Sequence, residues 1–344
     1  MIKEVLKQLW KDKFARIALI VLGIIYLALF LADFIAPYTK DFSDRTMAYV
    51  PPSKIFTIDE TGHISKPYTY NYIRDFNSQT LEIEYNLDRS KKHYVKFFAQ
   101  GQPYKFLGLI PMKRHLITTD SDGRLFLLGT DINGRDVFSR ILFGGRISMT
   151  IGFLALFVLF PIGLLYGGIS GYFGGKVDML MMRFAEAVMS IPSFYLLIIL
   201  ASILPSGMTS TQRFLLIVII LALIGWAGFA RVVRGMVLSI KGQEYIQAAQ
   251  SIGASKMRII IKHILPQTTS FVIVAMTLSI PSYILSESGL SFLGLGIQQP
   301  DASWGNMLKE AQEFTNILYR PWLLTPGFLI FVSVLAFNLI GDTI

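Results

Sequence analysis

Six stretches without a charged side chain divide this 344-residue chain, at 17–32, 147–173, 187–204, 214–230, 267–286 and 321–341. Each comes close to the roughly 20 residues that a helix needs to cross a bilayer. A backbone in lipid must satisfy its own hydrogen bonds, so helices are the predicted form. With 53% hydrophobic and 16% charged residues, the chain carries more apolar surface than a soluble domain can use. The predicted fold class is an all-α integral membrane protein with six transmembrane helices. Lys3, Lys7, Lys11, Lys13 and Arg16 precede the first stretch. That outline fits a signal peptide, but the apolar run is long and no small-x-small cleavage site follows, so it reads as a first transmembrane helix ending near Pro37.

Lysine and arginine orient the spans. With the N-terminus inside, the loops on that side carry thirteen: five through Arg16, then Lys176 and Arg183, and six between 231 and 262. The opposite short loops carry three, Arg213, Lys309 and Arg320. The positive-inside rule then expects both termini in the cytoplasm. It also accounts for much of the net charge of +9 without invoking nucleic acid. Between the first two spans, an extracytoplasmic insert is expected at 39–127. There Leu81, Ile83, Tyr85 and Leu87 alternate with Glu82, Glu84 and Asn86, a strand signature, and 88–91 reads as a turn into a second strand near 94–98. The predicted organisation is a cytoplasmic N-terminus and first helix at 1–38, the small β-containing insert at 39–127, and a core domain at 128–344. The core would hold five further helices and a cytoplasmic loop at 241–266.

That loop is a polar and basic island between two apolar segments. A helical stripe begun at Tyr245 places Ala248, Ala249 and Ile252 at i+3, i+4 and i+7 on one face. Two alanines between larger apolar residues make a shallow face that another protein can approach closely. Gly253 punctuates the chain. Met257, Ile260, Ile261 and Ile264 repeat the spacing until Pro266, which is expected to stop it. A helix well under roughly 12 to 15 residues is not stable alone in water. It has to dock, either on another protein or, as a surface amphipathic helix, among lipid headgroups.

Gln247-Ala248-Ala249, Gly253 and Ile264-Leu265-Pro266 resemble the EAA loop of binding-protein-dependent ABC transporter permeases. Gln247 departs from the family's usual Glu, removing one charge. The resemblance implies a coupling helix seated on a separate ATPase, with Glu244, Tyr245, Gln247, Ala248, Ala249, Ile252, Gly253, Lys256, Arg258 and Pro266 as the coupling set. Residues 128–148, LGTDINGRDVFSRILFGGRIS, are similar to the segment before the second span in dipeptide and oligopeptide permease C subunits. Read from the residues alone, Asp131 with Arg135 and Asp136 with Arg140 are i,i+4 pairs worth a few tenths of a kcal/mol on an exposed helix. A third string, ESGLSFLGLG at 287–296 continuing through SWGNM at 303–307, resembles the same subfamily, where it helps shape the outer gate.

The resemblance implies a type I ABC importer (MetI-like) fold in a bacterial or archaeal cytoplasmic (inner) membrane, enclosing half of a pathway for dipeptides or oligopeptides. Its implied partners are a homologous permease (OppB/DppB-like), two ABC ATPase subunits and an extracytoplasmic substrate-binding protein, besides the lipid bilayer. No cofactor is expected on this chain, since ATP and Mg would act in the ATPases. Gly174-Gly175-Lys176 lacks the spacing of a phosphate loop, and His63, His93, His115 and His263 show no ligand spacing. No catalytic or metal residues are predicted. Candidate pathway or gate residues are Glu186, Pro192, Pro281, Glu287 and Ser291. Proline inside a span frees a backbone carbonyl and permits a kink. A charge at mid-bilayer costs about 2.5 to 3.5 kcal/mol on insertion scales, which expects Arg183 and Glu186 near the surface or facing the bundle. Arg231 and Arg234 read as positive-inside anchors. Oligosaccharide uptake by the same kind of transporter is the alternative substrate reading. A membrane-anchored ligand sensor is the alternative class; it predicts a cytoplasmic signalling domain, which the sequence does not display.

Overall fold

The computed structural model describes residues 2–59, 62–77, 82–120, 122–205 and 207–343. The chain opens with α1 (Ile2–Lys11), α2 (Lys13–Phe30) and the short α3 (Ala32–Ile35). Five strands follow, β1 (Phe56–Ile58), β2 (Ile64–Asn77), β3 (Glu82–Tyr94), β4 (Lys96–Phe106) and β5 (Ile110–Thr118). Next come α4 (Val137–Phe173), α5 (Gly175–Met189), α6 (Ser193–Ser202), α7 (Ser210–Ile240), α8 (Glu244–Ser251), α9 (Lys256–Ile259) and α10 (Thr269–Phe292). The chain closes with α11 (Trp304–Leu308), α12 (Phe314–Tyr319) and α13 (Thr325–Thr343).

Among the described residues, five helical runs are long and apolar enough to cross a membrane: α2, α4, α7, Lys256–Phe292 and Pro321–Thr343. The third predicted span differs from its expected form. Helix already begins at Gly175 and breaks around 190–192, so that α5 and α6 together qualify as a sixth span only as a pair bent by 74°. The break falls at Pro192, which disfavours the helical region for the residue before it and itself becomes the N-cap of α6, with ψ of 119°.

The strands form an antiparallel sheet ordered β1-β2-β3 and a separate β4-β5 hairpin. The strand expected at 81–87 is the start of β3, Leu81 itself lying outside the described residues. The turn expected at 88–91 is a correction, because these residues remain within β3 as a bulge. Residues 89–92 lie between the pairs Asn71↔Asp88 and Thr69↔His93, opposite Tyr70 alone. Asp88 Oδ1 accepts the Ser90 amide at 3.0 Å, so the turn chemistry of this run is spent locally without reversing the chain.

The residues divide into two compact units, one of 1–22, 149–290 and 332–344 and the other of 23–148 and 291–331. The first is organised by a ladder of small residues. Gly163, Gly167 and Gly171 recur every fourth residue along α4 and meet α7. A Cβ on Gly167 would strike the Ala230 carbonyl oxygen and come within 2.8 Å of Val233 Cβ; one on Gly171 would lie 2.8 Å from the Arg234 carbonyl oxygen. Close backbone approach of this kind is how helices pack where lipid removes the hydrophobic incentive. Gly167→Ala is expected to push the two helices apart and cost about 1 to 3 kcal/mol, as overpacking does, read as a lower unfolding midpoint in detergent. Gly23→Ala, where nothing lies within 4 Å, is the control that should not move it.

In the second unit the two family-like strings at 128–148 and 287–307 meet. Asp131 accepts from Arg135 Nε at 2.6 Å and faces Arg140 Nε at 3.4 Å, all three being buried. Arg135 and Arg140 both donate to Gln299 Oε1, Arg140 also donates to the Pro300 carbonyl at 3.1 Å, and Arg135 reaches Glu310 at 3.5 Å. Trp304 Nε1 donates to the Ile141 carbonyl at 3.0 Å, above a core of Val137, Ile141, Ala302, Met307, Ala311 and Leu323. The pairing expected between Asp136 and Arg140 is a correction. Arg140 turns to Asp131, whereas Asp136 Oδ2 accepts the Ser139 amide at 2.7 Å and so caps the start of α4.

Complete burial raises the Asp136 carboxyl to about 7, and burial beside Asp131 raises Glu310 to about 7. A carboxyl whose pKa rises on folding stabilises the fold most below its ordinary range, near 4. That contribution fades as the pH climbs through about 7. Thermal stability is therefore expected to fall between those limits. Asp136→Asn, which keeps the capping oxygen but cannot ionise, should flatten part of the fall; an unchanged slope would remove Asp136 from the effect.

Candidate functional site

The 241–266 loop begins where α7 ends. Gln243 adopts an extended backbone and α8 starts at Glu244. The helix is short because its C-terminus is closed by chemistry. Gly253 takes φ +79°, its amide bonds to the Gln250 carbonyl at 2.9 Å and the Ala254 amide to the Ala249 carbonyl at 3.1 Å, which is a Schellman cap. A Cβ at Gly253 would meet nothing within 4 Å, so the backbone angle, not space, demands glycine there.

Ile246 and Ala249 bury one side of α8 in a cluster with Val233, Val237, Ile259 and Ile264. This corrects the predicted docking stripe. The inward direction falls between residues 246 and 249, about 100° and 40° around the helix from Tyr245. Ala249 therefore packs into its own chain, while Tyr245, Ala248 and Ile252 remain outside. Ile252 is 85% exposed. With Met257 and Ile261, also exposed, it leaves apolar side chains uncovered on an otherwise polar loop. Glu244, Gln247 and Arg258 are exposed around them, and Lys256 lies over the Phe173 ring at 5.3 Å.

Pro266 does not end the helix, contrary to expectation. A π turn at Ile260–Ile264 and a 3-10 turn at Leu265–Thr268 carry the chain into α10. The wider turn frees the carbonyls that a proline ring would otherwise crowd.

The loop is tied to one further helix, α4. Gln250 Nε2 donates to Tyr172 Oη at 3.3 Å and Lys241 Nζ to the Gly171 carbonyl at 3.0 Å, both at the end of α4. Arg234 in α7 is more than a surface anchor. Its Nε donates to Asp178 Oδ1 at 2.9 Å, its Nη2 also bonds Asp178, and Ser170 Oγ reaches the same carboxylate at 2.5 Å. α4, α5 and α7 are thus joined at one carboxylate. Asp178 was not singled out by sequence pattern; its position one turn into a basic, apolar segment was the available signal.

A cavity of about 580 Å³ opens in the same unit. Phe160, Phe194, Phe229 and Phe271 line it together with Ser279, Ser282 and Ser286 from α10. Ser279 and Ser286 donate to the carbonyls of Ala275 and Ser282 at 2.6 and 2.7 Å, which leaves hydroxyl lone pairs free to accept. The predicted pathway residues are placed around it unevenly. Pro192 adjoins the lining residue Ser193, and buried Pro281 adjoins Ser282. Glu186 does not line the cavity and pairs with Arg183 at 3.3 Å where both are exposed. Glu287 is fully buried, with Ser288 Oγ at 3.5 Å. Ser291, in the other unit, accepts the Ile297 amide at 3.0 Å and so shapes the turn after α10.

Residues 138–344 match the family of binding-protein-dependent transport system inner membrane components. Residues 1–52 match the N-terminal TM domain of oligopeptide transport permease C. The chain is 44% identical over 216 residues to the dipeptide transport system permease protein DppC of Bacillus subtilis, covering 62% of this chain and 65% of that protein. It is 44% identical over 215 residues to the oligopeptide transport system permease protein OppC of Haemophilus influenzae, covering 62% and 67%. To the glutathione transport system permease protein GsiD of Escherichia coli it is 42% identical over 215 residues, covering 62% and 68%. The match thus spans about two thirds of the length of each relative.

Proposed function

Because the chain belongs to the family of binding-protein-dependent transport system inner membrane components, we propose that it is the transmembrane permease subunit of an ATP-driven importer of dipeptides or oligopeptides. It forms half of the translocation pathway, pairs with a homologous permease, receives substrate from an extracytoplasmic binding protein and is moved by two ATPase subunits. ATP and Mg act in those ATPases; this chain contributes shape and transmission and catalyses nothing.

The observation that carries this reading is the two-sided α8. One side is fixed in its own chain by Ile246 and Ala249, and the other offers Tyr245, Ala248 and Ile252 to solvent. A helix held this way moves as a lever, because its packing on α7 and its Gln250 bond to Tyr172 pull α7 and α4 with it. The cavity suits a peptide: hydroxyl acceptors meet backbone N–H groups, and aromatic walls tolerate varied side chains. Names of relatives that handle dipeptides, oligopeptides and glutathione support a peptide over an oligosaccharide.

Two experiments test it. Proteoliposomes holding the chain with its co-purified subunits and binding protein should take up labelled peptide only when ATP is supplied on the ATPase side; uptake of oligosaccharide but not peptide would overturn the substrate. Cysteines at Ser90 and Ser255 should react with an impermeant maleimide from opposite sides of the membrane, and labelling from one side would overturn the topology.

A further inference from the structure

The β4-β5 hairpin runs back along the first spanning helix, not away from it. Near its base His115 Nδ1 lies 2.6 Å from the Ala36 carbonyl. Toward the tip the Leu107 amide donates to Asp33 Oδ2 at 3.1 Å, and the Phe106 ring meets Phe30 edge-on at 5.8 Å. Thus, as the hairpin advances from 115 to 106, its partner residue retreats from 36 to 30, the last residue of the apolar helix α2. The tip beyond Phe106 is carried to the level of residues 30–33, where the apolar helix α2 ends.

The turn at that tip places glycine at only one of its two left-handed positions, Gly108 at φ +76°. Leu107 occupies the left-handed region at φ +50°, where glycine or asparagine is the usual choice. A bulky residue there is strained. Leu107, Leu109 and Ile110 are all exposed, Leu109 at 81%, and exposed Lys105 and Lys113 flank them. An apolar tip between lysines matches the layering of a bilayer surface, with acyl chains inside and phosphates above.

We propose that the tip of the β4-β5 hairpin is a lipid anchor. Leu107, Leu109 and Ile110 enter the leaflet from which the C-terminal end of α2 emerges, and Lys105 and Lys113 meet its phosphates. The test uses the absence of native cysteine. Leu109→Cys and, separately, Ile110→Cys are labelled with an environment-sensitive fluorophore in the full chain, reconstituted with its co-purifying subunits into phosphatidylcholine nanodiscs. Ile64→Cys, exposed on β2, is the reference. Spin-labelled phosphatidylcholine should quench the tip labels by roughly twofold or more relative to the reference, with a blue-shifted emission. Quenching no greater than at Ile64 overturns the proposal. So does shielding of the tip that arises only when a partner subunit is added and is insensitive to spin-labelled lipid, which would make the tip a protein contact.

Discussion

Ile252→Asp is expected to abolish recovery of the ATPase with the purified permease while leaving the permease as stable as the wild type. The second half of that expectation follows from exposure: a side chain with 85% of its surface in solvent contributes little to its own fold, and surface changes usually stay within about 0.5 kcal/mol. The first half follows from the proposed docking. A central apolar anchor replaced by a carboxylate in a desolvated groove loses about 2 kcal/mol or more, roughly a thirtyfold drop in affinity. Ile246→Asp gives the contrast. It places a charge in the cluster with Val233 and Val237 and should prevent folding altogether, so loss of ATPase there carries no information. Ala249→Leu should lower the unfolding midpoint before it affects docking, because Ala249 faces its own chain. The measurement is the ratio of ATPase to permease after affinity purification, together with the thermal midpoint of each variant. An unchanged ratio for Ile252→Asp would end the lever assignment.

Arg140→Met should be the most destabilising single change in the second unit. Arg140 is 4% exposed and its partner Asp131 5%. Removing one member of a buried pair leaves the other charge uncompensated and costs about 3 to 5 kcal/mol. Arg135 still holds Asp131 at 2.6 Å, so the cost should fall toward the lower end of that range. Gln299 and the Pro300 carbonyl, however, lose a donor as well. Adding Asp131→Asn to Arg140→Met should deepen the loss, since it takes from buried Arg135 the carboxylate it holds at 2.6 Å. Unfolding followed by intrinsic fluorescence in detergent measures both. A loss under about 1 kcal/mol for Arg140→Met would mean that the pair is solvated.

The sequence made the apolar spans legible because length and lack of charge are enough to identify them. The exception is the third span: α5 carries Lys176, Asp178, Arg183 and Glu186, so lack of charge marks only its part from 187 onward. The β insert is legible at 82–87, where alternation is strict, but DRSK at 88–91 reads as a turn while forming a bulge, because turn-forming residues also build bulges. In α8 the helical spacing was right and the inward direction was not. Periodicity defines an arc of a helix, and only Val233 and Val237, distant in sequence, decide which edge of that arc is covered. The Asp131, Arg135, Arg140 and Glu310 cluster was hidden for the same reason. Local i,i+4 spacing suggested two surface pairs, whereas Gln299 and Glu310 arrive from more than 150 residues away. The glycine ladder of α4 was in plain view at 163, 167 and 171 and needed α7 to acquire meaning.

From Lys256 to Phe292 the backbone is one continuous rod, and the π turn at 260–264 packs one surplus residue into it. The turn absorbs that residue within itself, so removing any one of the five would restore ordinary α-helical winding with little change of phase, whereas removing one of the α-helical residues between 269 and 278 would rotate everything downstream by about 100° and draw it back about 1.5 Å. Ser279, Ser282 and Ser286 would then turn away from the aromatic walls they now oppose, with no change in composition at the cavity. The phase between the loop's apolar patch and the hydroxyl row is thus set by counting residues, in the way a gear's timing is set by its teeth.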